Sequence, residues 1–341
     1  MRDLRAVGCE AQRSRLGAAP VRSGNYLLFQ DLLSKHGAIS DWHVSWDVTR
    51  AARAISLARH REVSMRIQFF GVRGSVATAG AETQRYGGNT SCLVVEAGGE
   101  TLIFDAGTGI RKLGCALGPV GVNAHLFLSH LHWDHIQGFP FFTPAYVPGN
   151  QLTIHGVAPA GGTVRDVFAQ QMTAPTFPVS LDVMRADLRF IDIPEEERIV
   201  VGRAKVRWHG VDHPNGCVAY RVDHGGKSVV YATDLEHRAG VIDDGLVELA
   251  QGADLLIYDA MYTPEEYDGV GGFSRKGWGH STFAAGAEVA VAASVKKLAL
   301  FHHDPSHDDG FMDALVERAQ KTRSGTLTDV FAAQEGHEVV L

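Results

Sequence analysis

From Met65 onward the chain is a series of short apolar runs, each stopped by Gly, Asn, Asp or Pro. Runs bounded in this way have the texture of strands. The pattern predicts strands at RIQFF (66–70), SCLVVEA (91–97), TLIFDA (101–106), AHLFLSH (124–130), LTIHGV (152–157) and LRFIDI (188–193). It predicts further strands at KVRWHGV (205–211), VAYRVD (218–223), SVVYATD (228–234), LLIYDA (255–260) and KLALFHH (297–303). Helical patterns lie between them at 109–117, 163–172, 281–294 and 308–323. The clearest is STFAAGAEVAVAAS, whose small apolar residues make one packing face. Many strands with interspersed helices predict a single large α/β domain of two sheets flanked by helices. Each half is strand-rich first and helical later, although no repeat is visible in the letters, and the pattern does not yield the strand order.

Residues 1–64 have a different texture. They hold ten basic and six acidic side chains, net +4 in a chain of net charge −7, which leaves −11 for 65–341. No apolar core followed by a small-residue cleavage site is present, so a secretory signal is not predicted, and the segment is too acidic for an Arg-rich transit peptide. Short helices are predicted at 25–36 and 47–61. At Met65 the texture changes to MRIQFFGVRGS, so the functional domain is expected at 65–341 behind an N-terminal extension at 1–64. Two readings of that extension stand: a segment upstream of the true start at Met65, or a helical piece that packs on the domain or on a dimer mate.

With 341 residues, 45% of them apolar, wholesale disorder is excluded. No apolar run approaches the ~20 residues that span a bilayer, so no membrane association is expected. The four cysteines (Cys9, Cys92, Cys115, Cys217) lie far apart without a C-x-x-C pair. That spacing argues against thiolate-bound zinc and against a disulfide-stapled secreted domain, and it predicts a cytoplasmic protein.

The seventeen histidines change the picture. In Ser129-His130-Leu131-His132-Trp133-Asp134-His135, four potential metal ligands follow an apolar strand. Strand alternation places His130 and His132 on one side, and a turn there brings Asp134 and His135 toward a second position. Such a set suits two adjacent metal ions. Imidazole and carboxylate without thiolate favour zinc, with manganese or iron as alternatives.

His-x-His-x-Asp-His after a strand resembles the signature of the metallo-β-lactamase superfamily. The resemblance spans roughly 66–303 and implies a four-layer αβ/βα sandwich with a dinuclear site, two Zn2+ per subunit (Mn2+ or Fe2+ as alternatives). It further implies that His213, in VDHP, and Asp234, closing SVVYATD, are ligands, with Asp234 bridging both metals. His302, ending LALFHH, matches the last ligand, with His303 competing for the position. Asp105, in DAGTGI, is expected to be buried and to order the metal loop. The other histidines with no motif context (His125, His155, His209, His224, His237, His337) are expected to be structural or at the surface.

The superfamily's chemistry is hydrolysis by a metal-bridging hydroxide, which Asp134 could orient, and fold alone does not choose the substrate. A glutamate at the position of His132 would mark the redox branch, and its absence counts against that branch. GWGHSTFAAGAEVA (277–290) resembles the His-Ser/Thr helix of the phosphodiesterase branch, which includes tRNase Z and the PhnP-type cyclic phosphodiesterases. By that resemblance His280 is the catalytic proton donor to the leaving oxygen. FFGVRGS (69–75) and YGGNTSC (86–92) resemble the openings of cyclic-phosphate phosphodiesterases and offer Asn89 and Ser91 as substrate contacts. Trp133, Phe141 and Trp278, with Phe142 and Tyr262, flank the signature elements and are candidates for stacking on a base. The −11 of the core and the lack of a Gly/Pro-rich arm lead to the expectation of a small cyclic or nucleotide phosphodiester as substrate, not tRNA and not duplex DNA. Other readings are a thioesterase or lactonase of the glyoxalase II kind on the same metals, and a metal-binding module without catalysis. The resemblance also implies a homodimer, a state that superfamily phosphodiesterases often adopt.

Overall fold

The structure is a computed structural model that describes residues 64–193, 198–238 and 240–341. The expected N-terminal extension, with its helices at 25–36 and 47–61, lies outside the described residues apart from Ser64. The first half of the described chain carries β1 (Met65–Gly71), β2 (Cys92–Ala97), β3 (Glu100–Phe104), α1 (Ile110–Leu117), β4 (Asn123–Phe127), the single turn α2 (Trp133–Ile136), β5 (Gln151–Gly156), α3 (Val164–Gln171) and β6 (Asp187–Asp192). The second half carries β7 (Ile199–Val201), β8 (Ala204–Val211), β9 (Cys217–His224), β10 (Lys227–Ala232), α4 (Asp244–Ala250), β11 (Leu255–Asp259), α5 (Pro264–Asp268) and α6 (Phe283–Ala292). It closes with β12 (Lys297–Phe301), α7 (Asp309–Gln320), β13 (Asp329–Ala332) and β14 (Glu338–Val340).

Two seven-stranded mixed sheets result, ordered β14-β1-β2-β3-β4-β5-β6 and β13-β12-β11-β10-β9-β8-β7. In each half three antiparallel strands (β1–β3, β8–β10) are followed by three that run parallel (β4–β6, β11–β13). The repeat that the letters hide is therefore present in the pairing. Its sequence trace is a two-residue Gly-Gly turn in each half, Gly98-Gly99 and Gly225-Gly226. All four glycines have positive φ, which a tight hairpin requires and a side chain resists.

Three apolar clusters define four layers. One lies between the sheets, built from β1–β3 and β8–β12 with Phe127 and Val339. A second packs Ile110, Leu113, Val164 and Phe168 of α1 and α3 on the outside of the first sheet. The third packs α4, α6 and α7 on the outside of the second sheet through Leu246, Leu249, Ala287, Val289, Met312 and Leu315. The αβ/βα sandwich expected from the sequence is thus the fold. From Met65 onward each predicted strand and each predicted helix is present, with ends shifted by a few residues. The short strands β7, β13 and β14 and the helices α4 and α5 were not predicted. Three- and four-residue strands give too few alternations to register as a period. For α5 a signal existed, because Thr263-Pro264-Glu265-Glu266 forms a capping box with Pro at the first turn.

Among the described residues no helix is long and apolar enough to cross a membrane. Phe127 is fully buried between the sheets, 5.4 Å from the Phe104 ring and 4.6 Å from the His155 ring. Phe127→Ala is expected to destabilise the domain by about 3–5 kcal/mol through lost burial and the cavity left behind, read as a lowered urea midpoint with little change in slope.

Candidate metal centre

The candidate ligands all come from the carboxyl ends of strands at one edge of the sandwich, where an open α/β sheet offers its crevice. Asp105 follows β3, His130 and His132 follow β4, His213 follows β8, Asp234 follows β10, Asp259 ends β11 and His302 follows β12. Asp134 and His135 arrive on α2, whose turn swings them toward the strand ends. Asp105, Asp234 and His302 have positive φ, at 57°, 53° and 62°. Non-glycine residues held in that region carry backbone strain, and strain of this kind gathers at functional sites.

Asp234 lies at the middle of the cluster. Its Oδ1 is 3.8 Å from His130 Nε2 and 3.9 Å from His213 Nε2. Its Oδ2 is 3.3 Å from both His135 Nε2 and His302 Nε2. Asp134 Oδ2 completes the second set, 3.3 Å from His135 Nε2 and 3.5 Å from His302 Nε2. His132 joins the first set, with Nδ1 3.1 Å from His213 Nε2. Two donor groups, His130/His132/His213 and Asp134/His135/His302, therefore adjoin one shared carboxylate. Donor atoms on a tetrahedral ion with bonds of about 2.0–2.1 Å stand about 3.3 Å apart, close to the shorter separations seen here. The buried Nε2 atoms of His130, His135 and His302 have no hydrogen-bond partner in the protein. Orphaned buried nitrogens of this kind call for an explanation, and a metal ion fits their donor chemistry.

The surroundings hold the ligands in that state. Asp105 is fully buried and accepts from Ser129 N–H (2.8 Å), Ser129 Oγ (2.8 Å), His135 Nδ1 (2.8 Å) and Tyr231 OH (2.7 Å). Ordering of the metal loop by Asp105, expected from the sequence, is thus visible as hydrogen bonds. His213 Nδ1 donates to the Gly279 carbonyl at 2.7 Å, which turns Nε2 toward Asp234. A Cβ on Gly279, whose φ is +82°, would stand 2.5 Å from that ring, so the approach depends on glycine. The Ser75 N–H donates to Asp134 Oδ2 at 2.8 Å. His302 faces the cluster, whereas His303 turns away and donates through Nε2 to the Ala333 carbonyl at 2.8 Å.

Electrostatics follow the geometry. Burial, with neighbouring His135 adding to it, pushes the His130 pKa well down and keeps its imidazole neutral, the form that ligates. Burial alone would raise Asp234, but His135, His302 and His130 hold it well below the usual carboxylate range. His280 behaves differently. Burial opposes its charge, yet Asp259 at 2.8 Å from Nδ1, with Asp234 and Asp134 behind it, lifts its pKa to about 9. His280 thus lies beside the cluster with a carboxylate partner that was not predicted. Asp259 did carry a signal: LLIYD closes on an acid after an apolar run, as TLIFD and SVVYATD do.

The remaining expected contacts divide. Trp133, Phe141 and Trp278 are exposed, while Phe142 is buried in the core and Tyr262 is buried against neighbouring loops. Asn89 does not face the centre: its side chain donates to both Glu335 oxygens and accepts from Thr108 Oγ1. Ser91 is fully buried with an unpartnered hydroxyl. Asn89 thus ties its loop to Glu335 and Thr108.

Residues 100–303 match the family described as the β-lactamase superfamily domain. The chain belongs to the metallo-β-lactamase superfamily. Relatives in this superfamily include Ribonuclease Z of Haloarcula marismortui, 25% identical over 81% of this chain and 96% of its own, and Ribonuclease Z of Haloferax volcanii, 28% identical over 81% and 95%. The fold is also that of the metallo-β-lactamase fold protein YhfI from Bacillus subtilis, with a TM-score of 0.62, 23% identity, and coverage of 82% of this chain and 99% of YhfI. These likenesses bear out the resemblance to the phosphodiesterase branch and the expectation of a metal-dependent hydrolase. A divalent metal is implied by the superfamily, and the His/Asp groups are present to hold one. The expectation of a small substrate, with tRNA excluded, is overturned by the relatives named Ribonuclease Z. It rested on the −11 of residues 65–341, a total that averages over the whole surface. A substrate meets the local field of the site, where a bound divalent metal would be the largest charge.

Asp105→Asn is expected to weaken metal retention about 10- to 100-fold, because the amide cannot hold both Ser129 and His135 in their present roles. Metal content after dialysis against graded chelator measures this.

Proposed function

We propose that the chain is a dinuclear-metal phosphodiesterase whose substrate is RNA. The observation that carries the reading is the sharing of Asp234 between two donor groups, with the His280–Asp259 pair at their side. The relatives named Ribonuclease Z support the substrate class.

His130, His132 and His213 would hold one ion, Asp134, His135 and His302 the other, and Asp234 both. When bound, two divalent ions, taken to be zinc from the His/Asp donor set, supply a nucleophilic water near neutral pH and offset charge on the phosphoryl oxygens. Asp105 and the Gly279 carbonyl each take the Nδ1 proton of a ligand histidine, so Nε2 is the free donor. The Ser75 N–H holds one oxygen of Asp134 and limits its rotation. His280 donates its Nδ1 proton to Asp259, which anchors that side of the ring. The proton on Nε2 is then the one delivered to the departing oxygen, an alkoxide that leaves poorly without it.

The full-length, metal-loaded chain is expected to cleave a precursor tRNA transcript and bis-p-nitrophenyl phosphate, and to lose both activities to a chelator. Turnover of a thioester or lactone panel without phosphodiester cleavage would sink the reading. His280→Ala is expected to retain metal and to slow cleavage of RNA about 10²- to 10⁴-fold. The activated p-nitrophenyl ester, whose leaving group needs no proton, should slow far less. Equal loss on the two substrates would remove the proton-donor role.

A further inference from the structure

The segment from Arg275 to Gly279 borders the candidate centre on the side of His213 and His280. Its backbone is braced at three points. Glu236 accepts from the N–H groups of Gly277 (2.6 Å) and Gly279 (2.8 Å), and the Gly279 carbonyl accepts from His213. A braced loop has no packing reason to turn a large ring outward, yet Trp278 is 55% exposed.

The Arg275 guanidinium lies over that ring, 4.7 Å from its centroid. It also lies 5.9 Å from the Tyr262 ring, which in turn meets the His280 ring edge-on at 6.1 Å. Among the described residues Arg275 makes no ion pair, whereas nearby Lys276 and Arg238 are paired with Asp268 and Asp212. A cleft of about 610 Å³, lined by His213, Pro214, Glu236, Tyr267, Gly277 and Gly279, opens along the backbone of this segment, and the Trp278 and Arg275 side chains stand outside its lining.

An exposed indole with an uncommitted guanidinium on it is well suited to a nucleobase. Every base has a face that stacks on an aromatic ring, and arginine adds cation–π attraction or pairs with a phosphate. A phosphate substrate without a base could use the guanidinium but has no use for the exposed indole. We propose that Trp278 and Arg275 form a base-stacking subsite for the nucleoside adjoining the scissile phosphate. This rests on the phosphodiesterase reading and narrows it to substrates that carry a base at that point.

AMP and ribose 5-phosphate share a phosphate and differ by the base. Isothermal titration of either into the full-length, metal-loaded chain is expected to show AMP binding about tenfold tighter. Trp278→Ala and Arg275→Ala should each cut that ratio to about twofold or less, and Trp278→Phe should keep most of it. Equal binding of the two ligands by the unaltered chain overturns the subsite. So does a ratio that survives Trp278→Ala, or one that Trp278→Phe loses as fully, since a disturbed loop would then account for the effect. The phosphodiesterase reading fails on a different result: the same preparation leaving bis-p-nitrophenyl phosphate intact.

Discussion

Four carboxylates, Asp105, Asp134, Asp234 and Asp259, are buried together at one edge of the sandwich, and the local structure is organised around giving them partners. A buried carboxylate is costly unless it is paired and hydrogen-bonded. Here each is answered by imidazoles, hydroxyls or backbone N–H groups that arrive from different strands. Asp105 takes four such bonds from Ser129, His135 and Tyr231, and Asp259 takes His280 Nδ1 with two backbone N–H groups. Asp234 and Asp134 are left facing histidine nitrogens that have nothing else to bind. That unfinished pairing separates a structural carboxylate from one available to a cation.

The two halves of the domain divide these roles. Asp105 and Asp234 each follow the third strand of the antiparallel set, and both have positive φ. The first is saturated by its own surroundings and the second is not. A repeated scaffold thus provides equivalent corners, and the side chains reaching each corner decide whether it braces the site or takes part in it.

Much of this was legible in the letters because the candidate ligands sit where strand periodicity stops. The run AHLFLSH ends on His130, SVVYATD on Asp234 and KLALFHH on His302 and His303, so the chemistry coincides with the punctuation. The strong apolar strands were legible for the same reason. What stayed hidden depends on distance across the fold. The pairing of Asp259 with His280 spans 21 residues, and the Gly279 carbonyl acts on His213, 66 residues away. No local pattern records such contacts. Asn89 shows the opposite difficulty, since a polar loop looks the same whether it faces a ligand or the protein's own carboxylates, as Asn89 does with Glu335. The charge argument failed because a sum over 277 residues contains no position.

The last strand of the described chain, β14, lies beside the first: Arg66 pairs with Val340 and Gln68 with Glu338. The first sheet therefore cannot complete its edge from its own half of the sequence. β1 can gain this neighbour only after Glu338–Val340 have been synthesised, whereas β2 and β3 follow it closely in the chain. Contacts of such sequence separation form late because their loop must be closed first. β14, three residues long, then stands as the edge of the sheet, and an edge strand so short offers little template to other chains.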